Sequence, residues 1–416
     1  MKNHDIVCYS FDFWSSLWSR TQQLMFHISE KVGNKVLFIN PRFNFPYYIL
    51  HPKKAIRIFG VKNALTAILG KHTNFRNKII IFTPIKMIPF SGRFKLLGRL
   101  ENKIYTLRIS KIITKYKLNN PILWINMPYL YSKSSNDLNL NFDLRVFDWT
   151  DDWLAFEKYE RPEVYGKEDV GNERERYLQV LERADLVFTV AESLYSRAKR
   201  ITPNTFLIPN GTDFENMSKS RQNDLPAVKK MEKIRSPRIG YAGWINNRID
   251  LELIDYAIKR NSDLEFVFIG SIAPSFRAPD HIRNCPRVHF IGTVRYHQLP
   301  LYIRYMDVLI IPHYRDEVTN AENPIKLYDY LSTGKPIVTT NIAGVERFKD
   351  FIKVARDKEE FYQMIMQTLQ EKDEGQIGLR MKAGETNSWR RRSEEVVNLL
   401  DRYINIQSKN INLARS

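Results

Sequence analysis

Residues 319–338 carry charged side chains at spacings that would let a helix present them to one ligand. A polar loop leads into a helical pattern beginning near Pro324, and Gly334 is placed to end that helix. Lys326 and Asp329 would then lie on neighbouring turns, where a cation and a carboxylate can address the same small molecule. A surface ion pair at i, i+3 has the same spacing. The segment is a candidate binding site, and the sequence on either side of it must decide between a ligand site and a surface ion pair.

A glycine-containing turn over residues 240–248 is the second candidate. Gly243 follows an apolar run, and Arg248 precedes a predicted helix that starts near Asp250. Glycine lets a backbone approach a ligand closely, and the N–H groups of a helix start, with an arginine beside them, suit a pyrophosphate. A tight strand-to-helix turn with glycine is also common for purely structural reasons.

Paired carboxylates in the first half of the chain form the third candidate. Asp151 and Asp152 follow an apolar run at 144–148, which places them at the carboxyl end of a predicted strand. A carboxylate there could orient or deprotonate a hydroxyl group and stabilise positive charge that develops as a bond breaks. Aspartate also commonly caps a following helix. We expect one functional and one structural aspartate, and the sequence leaves open which is which.

Short apolar runs that alternate with helical patterns must position these side chains, and this alternation is typical of βαβ units with a parallel sheet. The first group of predicted strands is 6–9, 35–39, 79–82, 122–125, 144–148, 186–190 and 206–208. The second group is 238–241, 265–269, 288–291, 308–311, 336–339 and 353–355. A polar stretch at 218–233 separates them as a predicted linker. The fold class is α/β, with two Rossmann-like doubly wound domains that face a central cleft.

Composition and missing motifs exclude several classes of protein. The chain has 416 residues, of which 43% are hydrophobic and 26% charged, as in ordinary globular proteins. Cys8 and Cys285 are the only cysteines, which rules out a disulfide framework and a cysteine-rich zinc site. The sequence contains no strand-following G-x-G-x-x-G, P-loop, H-E-x-x-H or G-x-S-x-G motif. No stretch approaches the roughly 18 apolar residues that a membrane span needs. These features favour a cytoplasmic location.

Positive charge is concentrated in one segment. The net charge is +18, and residues 51–117 contain sixteen basic residues and one acidic residue, Glu101. Read as a helix, residues 93–115 separate their charged and apolar side chains, with Lys95, Arg99 and Lys103 on one face and Leu97, Leu100, Ile104 and Leu107 on another. Such a helix could lie on an anionic bilayer, with the apolar stripe either dipping into lipid or packed inward. Nucleic-acid binding would favour more interleaved aromatic residues than Phe94 and Tyr105 provide.

The candidate segments and their flanks resemble the bacterial group 1 (family 4-type) glycosyltransferases. The C-terminal resemblance is carried by residues 319–338, 207–213, 290–294 and 299–300. In the N-terminal half, Trp14, Arg20, Gln23, 147–152 and 184–188 are similar to the branch of teichuronic acid glycosyltransferases. Residues 389–392 resemble the helix at the end of GT-B chains, which crosses back to the first domain. The resemblance covers nearly the whole chain. It implies the GT-B fold, with an acceptor-binding domain over 1–212, a nucleotide-sugar-binding domain over 213–386, and a helix at about 387–404 that packs back on the first domain.

The resemblance also implies roles for individual donor-site residues. Asp329 matches the second acid of the family's E-x7-E motif, whose carboxylate accepts hydrogen bonds from the ribose hydroxyls. Ala321 occupies the strict position of the first acid, so Glu322 or Asn323 is expected to reach the sugar.

Further residues are expected at the diphosphate and at the acceptor. Lys326 and Leu327 belong to the branch's N-P-x-K-L-Y pattern and, with Gly243, are expected in the donor site. Arg248, Lys326 and the N-terminus of the helix are expected to neutralise the donor diphosphate. Trp244 stands where many relatives carry a basic residue. On the acceptor side, Trp14, Arg20 and Gln23 would hold the acceptor or a phosphate, and a core position is an equal alternative for Trp14.

The implied function is transfer of a sugar from a nucleoside-diphosphate sugar to a cell-surface polysaccharide or lipid-linked acceptor, with retention and without a metal or other cofactor. Segment 51–117 would hold the protein peripherally against the anionic inner face of the plasma membrane, and no nucleic-acid partner is expected. Three alternatives remain open: a catalytically degenerate GT-B scaffold that binds a glycan, membrane or protein partner, a nucleic-acid-binding protein, and an epimerase of the same fold.

Overall fold

Two α/β domains make up the computed structural model. It describes residues 1–14, 18–44, 72–86, 88, 91, 94–126, 142–151, 173–316, 319–371 and 373–413. Of the predicted sites, Asp152 lies outside these residues, as do 51–71 of the basic segment.

The first domain is built on an eight-stranded sheet, as far as the described residues show. Its strands and helices, in chain order, are β1 (Ile6–Tyr9), α1 (Arg20–Val32), β2 (Val36–Ile39), β3 (Phe43–Asn44), β4 (His72–Phe75), β5 (Ile79–Phe82), β6 (Ile85–Lys86), α2 (Lys95–Tyr116), β7 (Ile122–Ile125), β8 (Leu144–Trp149), α3 (Glu173–Arg183), β9 (Leu186–Thr189), α4 (Glu192–Lys199) and β10 (Thr205–Leu207). The sheet order is β10-β9-β8-β7-β1-β2-β5-β4, and β3 pairs separately with β6. All neighbours in the large sheet are parallel except β4, which runs antiparallel to β5.

Strand β1 shows why these runs form a central sheet. Val7 and Tyr9 pack in the apolar core on one face, and Ile6 and Cys8 pack in the core on the other. Helices cover both faces of a doubly wound sheet, so its strands read as continuous apolar runs rather than alternating ones. The helices leave the carboxyl ends of the strands open as an edge where ligands bind.

The second domain repeats this plan with a six-stranded parallel sheet among the described residues. Its elements are α5 (Phe214–Met217), α6 (Lys229–Glu232), β11 (Arg238–Ala242), α7 (Leu251–Arg260), β12 (Glu265–Ile269), α8 (Asp280–Arg283), β13 (Val288–Gly292), α9 (Leu299–Ile303), β14 (Val308–Ile311), α10 (Ile325–Thr333), β15 (Ile337–Thr340), β16 (Lys353–Ala355), α11 (Lys358–Thr368) and α12 (Glu374–Thr386). Short 3-10 helices lie at Ser218–Arg221, Tyr296–Gln298, Thr319–Ala321 and Glu346–Phe348. The sheet order is β13-β12-β11-β14-β15-β16, the doubly wound arrangement.

The predicted linker at 218–233 is wrong, because this polar stretch forms short helices that pack on the second domain. Met217, Met231 and Ile234 are buried in the same apolar core as α9 and α10. Few apolar residues suffice here because Met231 within the stretch, and Met217 and Ile234 at its edges, are buried against the domain.

The last helix, α13 (Trp389–Leu413), returns to the first domain. Its apolar side chains Trp389, Val396 and Leu400 lie in one core with residues of α1 and the first sheet. The chain therefore crosses between the domains twice.

The two crossings lie side by side. The backbone N–H of Thr212 donates to the carbonyl oxygen of Asn387 at 3.2 Å, and the N–H of Trp389 donates to the carbonyl oxygen of Thr212 at 2.9 Å. Among the described helices, none combines the length and the apolar character needed to cross a membrane.

Candidate active site

A cavity of about 720 Å³ lies between the two domains, at the carboxyl ends of both sheets. Residues of the first domain that line it include Phe11, Asp12, Trp18, Arg20, Asn126 and Asp151. Residues of the second domain that line it include Gly243, Trp244, Arg248, Gly270, Tyr296, Glu322, Asn323, Lys326 and Asp329. The cavity thus brings together predicted residues as far apart in the chain as Arg20 and Asp329.

Two glycines let the ends of β11 and β12 approach each other at the cavity wall. Gly243 has φ 147° and Gly270 has φ 148°, a backbone region that L side chains rarely adopt. A Cβ on Gly270 would lie 1.8 Å from the carbonyl oxygen of Gly243, and a Cβ on Gly243 would lie 2.9 Å from Cε of Lys326. Sequence reasoning identified Gly243 and missed Gly270, although Gly270 directly follows a predicted strand.

Helix α10 carries the predicted charged donor-site residues Lys326 and Asp329, and its packing fixes their direction. Gly334 ends the helix in the left-handed conformation, as the sequence predicts. The backbone N–H of Ala242, at the end of β11, donates to the hydroxyl group of Tyr330 at 2.7 Å. Lys326 and Asp329 are thereby held against the end of β11, where both line the cavity.

Asp329 is a buried carboxylate with two fixed donors. Its Oδ1 accepts hydrogen bonds from the hydroxyl groups of Thr212 and Tyr296, each at 2.7 Å. Burial raises the pKa of Asp329 to about 7, and the two hydrogen bonds oppose that shift. Sequence reasoning did not identify Thr212 or Tyr296 as partners, although both lie in or beside segments that carry the family resemblance.

Lys326 is a buried cation. Its Nζ lies 3.5 Å from Nε2 of His313 and 5.2 Å from the centroid of the Tyr241 ring. Burial lowers the pKa of Lys326 to about 8, and the nearby positive charge of Arg248 lowers it further. The same burial holds the pKa of His313 well below its ordinary value, so this imidazole is neutral. Lys326 remains mostly charged at neutral pH and is positioned to pair with an anion.

Arg248 and Glu322 form a salt bridge across the donor side of the cavity. The guanidinium carbon of Arg248 also lies 5.9 Å from the centroid of the Trp244 ring. Trp244 is 42% exposed, so its ring forms an open apolar surface beside the ion pair. An anionic ligand would compete with Glu322 for the guanidinium group of Arg248. Binding of such a ligand could therefore break this salt bridge and release the carboxylate of Glu322.

Two carboxylates of the first domain face this donor side. Burial raises the pKa of Asp151 to about 7, and the negative charges of Glu322 and Asp12 add to the effect. Asp12, which sequence reasoning missed, also has a raised pKa because of burial. Each follows a strand of the first sheet, Asp12 after β1 and Asp151 after β8, and that position was the available signal for Asp12.

The structure places Arg20 in the cavity wall with its donors directed into the protein. Nε and Nη2 donate to the carboxylate of Asp148, the latter at 2.8 Å, and both side chains are buried. Nη1 donates to the carbonyl oxygen of Pro209 and to Oδ1 of Asn210, each at 3.2 Å. These donors link the first sheet to the segment between the domains, while Arg20 remains part of the cavity lining.

Three other predicted side chains lie away from the described cavity lining. Trp14 packs against Phe38 with ring centroids 4.9 Å apart, which supports the core alternative. Gln23 is buried on α1, which runs away from the cavity edge, so it lies about one turn farther from the cavity than Arg20. Leu327 is fully buried in the core because it follows Lys326 by about 100° around α10.

Comparison with known proteins agrees with this architecture. Residues 236–371 match the family described as glycosyl transferases group 1. The putative teichuronic acid biosynthesis glycosyltransferase TuaH of Bacillus subtilis (strain 168) is 23% identical over 268 residues, which cover 61% of this chain and 64% of that protein. The match therefore spans less than two thirds of the relative's length.

Two solved structures illustrate the shared fold. Sucrose-phosphate synthase from Thermosynechococcus elongatus has a TM-score of 0.62 at 16% identity, covering 99% of this chain and 100% of that one. Anabaena HepE, solved in complex with UDP and glucose, has a TM-score of 0.58 at 12% identity, covering 96% and 100%. The fold is GT-B. The matched domain over 236–371 and the similarity to TuaH agree with the resemblance to bacterial group 1 glycosyltransferases that the sequence predicts.

Proposed function

We propose that the chain transfers a sugar from a nucleoside-diphosphate sugar to a hydroxyl group of a cell-surface glycan or lipid-linked acceptor. The observation that carries the proposal is the convergence of Lys326, Arg248 and Asp329 on one side of the cavity, with Asp151 on the other. Cations and a carboxylate on the donor side match the parts of a nucleoside diphosphate, and a carboxylate on the acceptor side suits a hydroxyl nucleophile.

The nucleoside would be held by Asp329. Hydrogen bonds from Thr212 and Tyr296 to Oδ1 orient this carboxylate, so that Oδ2 can accept a ribose hydroxyl. Hydroxyl donors favour the ionised form of the carboxylate. Nucleotide binding should therefore lower the pKa of Asp329 from about 7.

The diphosphate would lie between Lys326, Arg248 and the start of α10. Backbone N–H groups at a helix start attract phosphate, and Gly243 and Gly270 leave the backbone open for close approach. These groups can stabilise the negative charge that develops on the leaving diphosphate, and we therefore propose transfer without a metal or other cofactor. Once the diphosphate pairs with Arg248, Glu322 becomes available to accept a hydroxyl of the donor sugar.

Asp151 would act as the base on the acceptor side. A carboxyl group with a pKa of about 7 can accept a proton from an attacking hydroxyl near neutral pH. Retention of configuration is part of the proposal, and it rests on the resemblance to a retaining family.

The acceptor and the location are proposed from the similarity to TuaH and from the distribution of charge. TuaH is named for teichuronic acid biosynthesis, which favours an acceptor of the cell envelope. The surplus of positive charge in 51–117 favours contact with an anionic surface. We therefore place the protein in the cytoplasm, peripherally on the inner face of the plasma membrane.

The test is the melting temperature of the purified chain with UDP, GDP, ADP or CMP, each with and without EDTA. A ligand that binds only the folded state raises the apparent stability. We expect one diphosphate to raise Tm independently of EDTA, and D329N to remove the effect, because an amide Nδ2 cannot accept a ribose hydroxyl. D350N is the matched control, since Asp350 is exposed elsewhere on the second domain.

The stabilising diphosphate then sets the sugar donors to test for transfer to an acceptor. No stabilisation by any diphosphate would overturn the proposal. Stabilisation without transfer would favour the catalytically degenerate scaffold, for which Ala321 at the first-acid position is the specific observation. A changed nucleotide sugar formed without any acceptor would indicate the epimerase.

A further inference from the structure

Helix α2 exposes an apolar stripe to solvent. Its inner face carries the buried residues Glu101, Tyr105, Ile109 and Ile112, and the last three pack in one apolar core with strands of the first sheet. The outer stripe consists of five exposed residues, Phe94 (55%), Leu96 (76%), Leu100 (50%), Ile104 (38%) and Leu107 (52%). The sequence left open whether apolar residues of this helix pack inward, and the structure places these five outward.

The surroundings of the outer stripe are cationic. Arg99, Lys103, Lys111 and Lys115 are all exposed. At about 100° per residue, Arg99 and Lys103 run along one side of the stripe, while Lys111 and Lys115 extend it towards the end of the helix. The sequence of α2 contains one acidic residue, Glu101, which is buried and accepts a hydrogen bond from the backbone N–H of Ile88. The outward face therefore combines apolar and positively charged groups.

A helix that lies in a membrane interface needs this combination, with apolar side chains for the acyl boundary and cations for anionic headgroups. Two copies of the chain that met through this face would repel each other, because the same cations would face each other across the interface. We propose that the outer stripe and its flanking cations dock the first domain on an anionic lipid bilayer, with the apolar side chains entering the boundary between headgroups and acyl chains.

The direction of α2 relates this surface to the cavity. Its C-terminal end lies at the amino end of the sheet, because Nζ of Lys35, which precedes β2, donates to the carbonyl oxygen of Tyr116 at 2.9 Å. Its N-terminal end, with Phe94 and Leu96, is therefore at the carboxyl edge that forms the cavity. Docking would bring the mouth of the cavity to the bilayer. A lipid-linked acceptor could then reach the cavity from the bilayer. That consequence rests on the proposed function, whereas the docking of α2 on a bilayer does not.

The experiment is flotation of the full chain with phosphatidylcholine vesicles, with and without phosphatidylglycerol. We expect binding to the anionic vesicles that salt weakens, and little binding to the neutral ones. The double variant L96D/L107D should reduce the bound fraction by about tenfold, because two carboxylates would have to enter the interface. L379D is the matched control, since Leu379 is also 50% exposed but lies on α12 of the second domain.

A second pair of variants separates charge from apolar contact. R99Q/K103Q/K111Q should reduce binding to anionic vesicles, while K229Q/K349Q/K353Q removes three exposed lysines of the second domain and should not. Absent binding by the wild type, or equal losses in a variant and its control, would overturn the proposal. So would a dimer that L96D/L107D converts to monomer in light scattering while vesicle binding is unchanged.

The Tm shift with nucleotide distinguishes a failure of membrane docking from a failure of the proposed function. Every variant should retain the Tm shift with the stabilising diphosphate, which shows that it is folded. If the wild type binds vesicles and no diphosphate stabilises it, docking stands and the proposed sugar transfer fails.

Discussion

Asn210 and Asn323 form two hydrogen bonds between the segment that connects the domains and the loop that precedes α10. The backbone N–H of Asn210 donates to Oδ1 of Asn323 at 2.8 Å, and Nδ2 of Asn210 donates to the carbonyl oxygen of Asn323 at 2.6 Å. Arg20 binds Asn210 in turn and pairs with Asp148. The loop that presents Glu322 is thus joined to the first sheet through buried polar groups, each of which depends on its partners.

Replacing Arg20 should destabilise the chain. R20Q leaves the buried carboxylate of Asp148 without its cation, and removing one partner of a buried ion pair typically costs about 3 kcal/mol or more. Urea unfolding would measure the loss. The double variant R20Q/D148N should recover part of it, because an amide carries no buried charge. A loss in R20Q below about 1 kcal/mol would mean that the pair is not what holds this region together.

G270A should abolish nucleotide binding. The new Cβ would collide with the carbonyl oxygen of Gly243 and displace the turn at the cavity wall. The readout is the Tm shift with the stabilising diphosphate. G292A is the control: Gly292 has φ 90°, yet a Cβ there meets no atom within 4 Å, so this variant should show backbone strain of about 1 kcal/mol and keep the shift. Equal behaviour of the two variants would contradict a role for the close approach.

Nucleotide affinity should fall as the pH rises above 8. Lys326 has a pKa of about 8 in the free protein, so its positive charge is present below that pH and is lost above it. Titration of the diphosphate by calorimetry between pH 7 and pH 9 would show Kd rising severalfold.

K326R should remove this pH dependence, because arginine stays protonated throughout the range. Lys335 supplies the control. Burial also lowers its pKa to about 8, but its Nζ donates to the carbonyl oxygen of Met306 and it does not line the described cavity. If K335R removes the pH dependence and K326R does not, Lys326 is not the titrating cation.

D329N should stabilise the free protein at pH 8 while abolishing nucleotide binding. The folded pKa of Asp329 is raised to about 7 from an ordinary 3.8, so its contribution to stability is present at low pH and declines as the pH rises towards 7. The asparagine carries no charge and can still accept from Thr212 and Tyr296. We expect a gain on the order of 2 kcal/mol at pH 8.

The pH dependence of the stability difference between D329N and the wild type tests this prediction. The advantage of D329N in urea unfolding should narrow as the pH falls from 7 towards 4, where the wild-type carboxyl group is protonated. D350N should show no such pH-dependent gap. A variant that is less stable than the wild type at pH 8 would indicate that the carboxylate is held by partners that outweigh its burial.

The sheets were predictable because strands covered by helices on both faces read as unbroken apolar runs. Every strand predicted from the sequence is present, and its bounds shift by no more than one residue at either end. The predicted helix over 325–333 is also confirmed. Strand β4 was missed because it is a partly exposed edge strand whose sequence, His-Thr-Asn-Phe, reads as a loop.

Site residues that lie on one helix could be predicted from the sequence, and contacts between segments distant in the sequence could not. Lys326 and Asp329 share a helix, so spacing alone brings them together. Tyr296 and Thr212 contact Asp329 across 33 and 117 residues, and spacing carries no such information. Gln23 and Leu327 show the converse, since a position beside a site residue in sequence says little about which way a helical side chain points.

The paired crossings at Thr212 and Asn387 limit how the domains can move. The two adjacent, hydrogen-bonded crossings form a candidate hinge, and rotation of one domain against the other would have its axis near these residues. Points on an axis do not travel during rotation. Asp329 lies close to this axis because it accepts a hydrogen bond from the hydroxyl group of Thr212. A nucleoside bound to Asp329 would therefore move little when one domain rotates against the other.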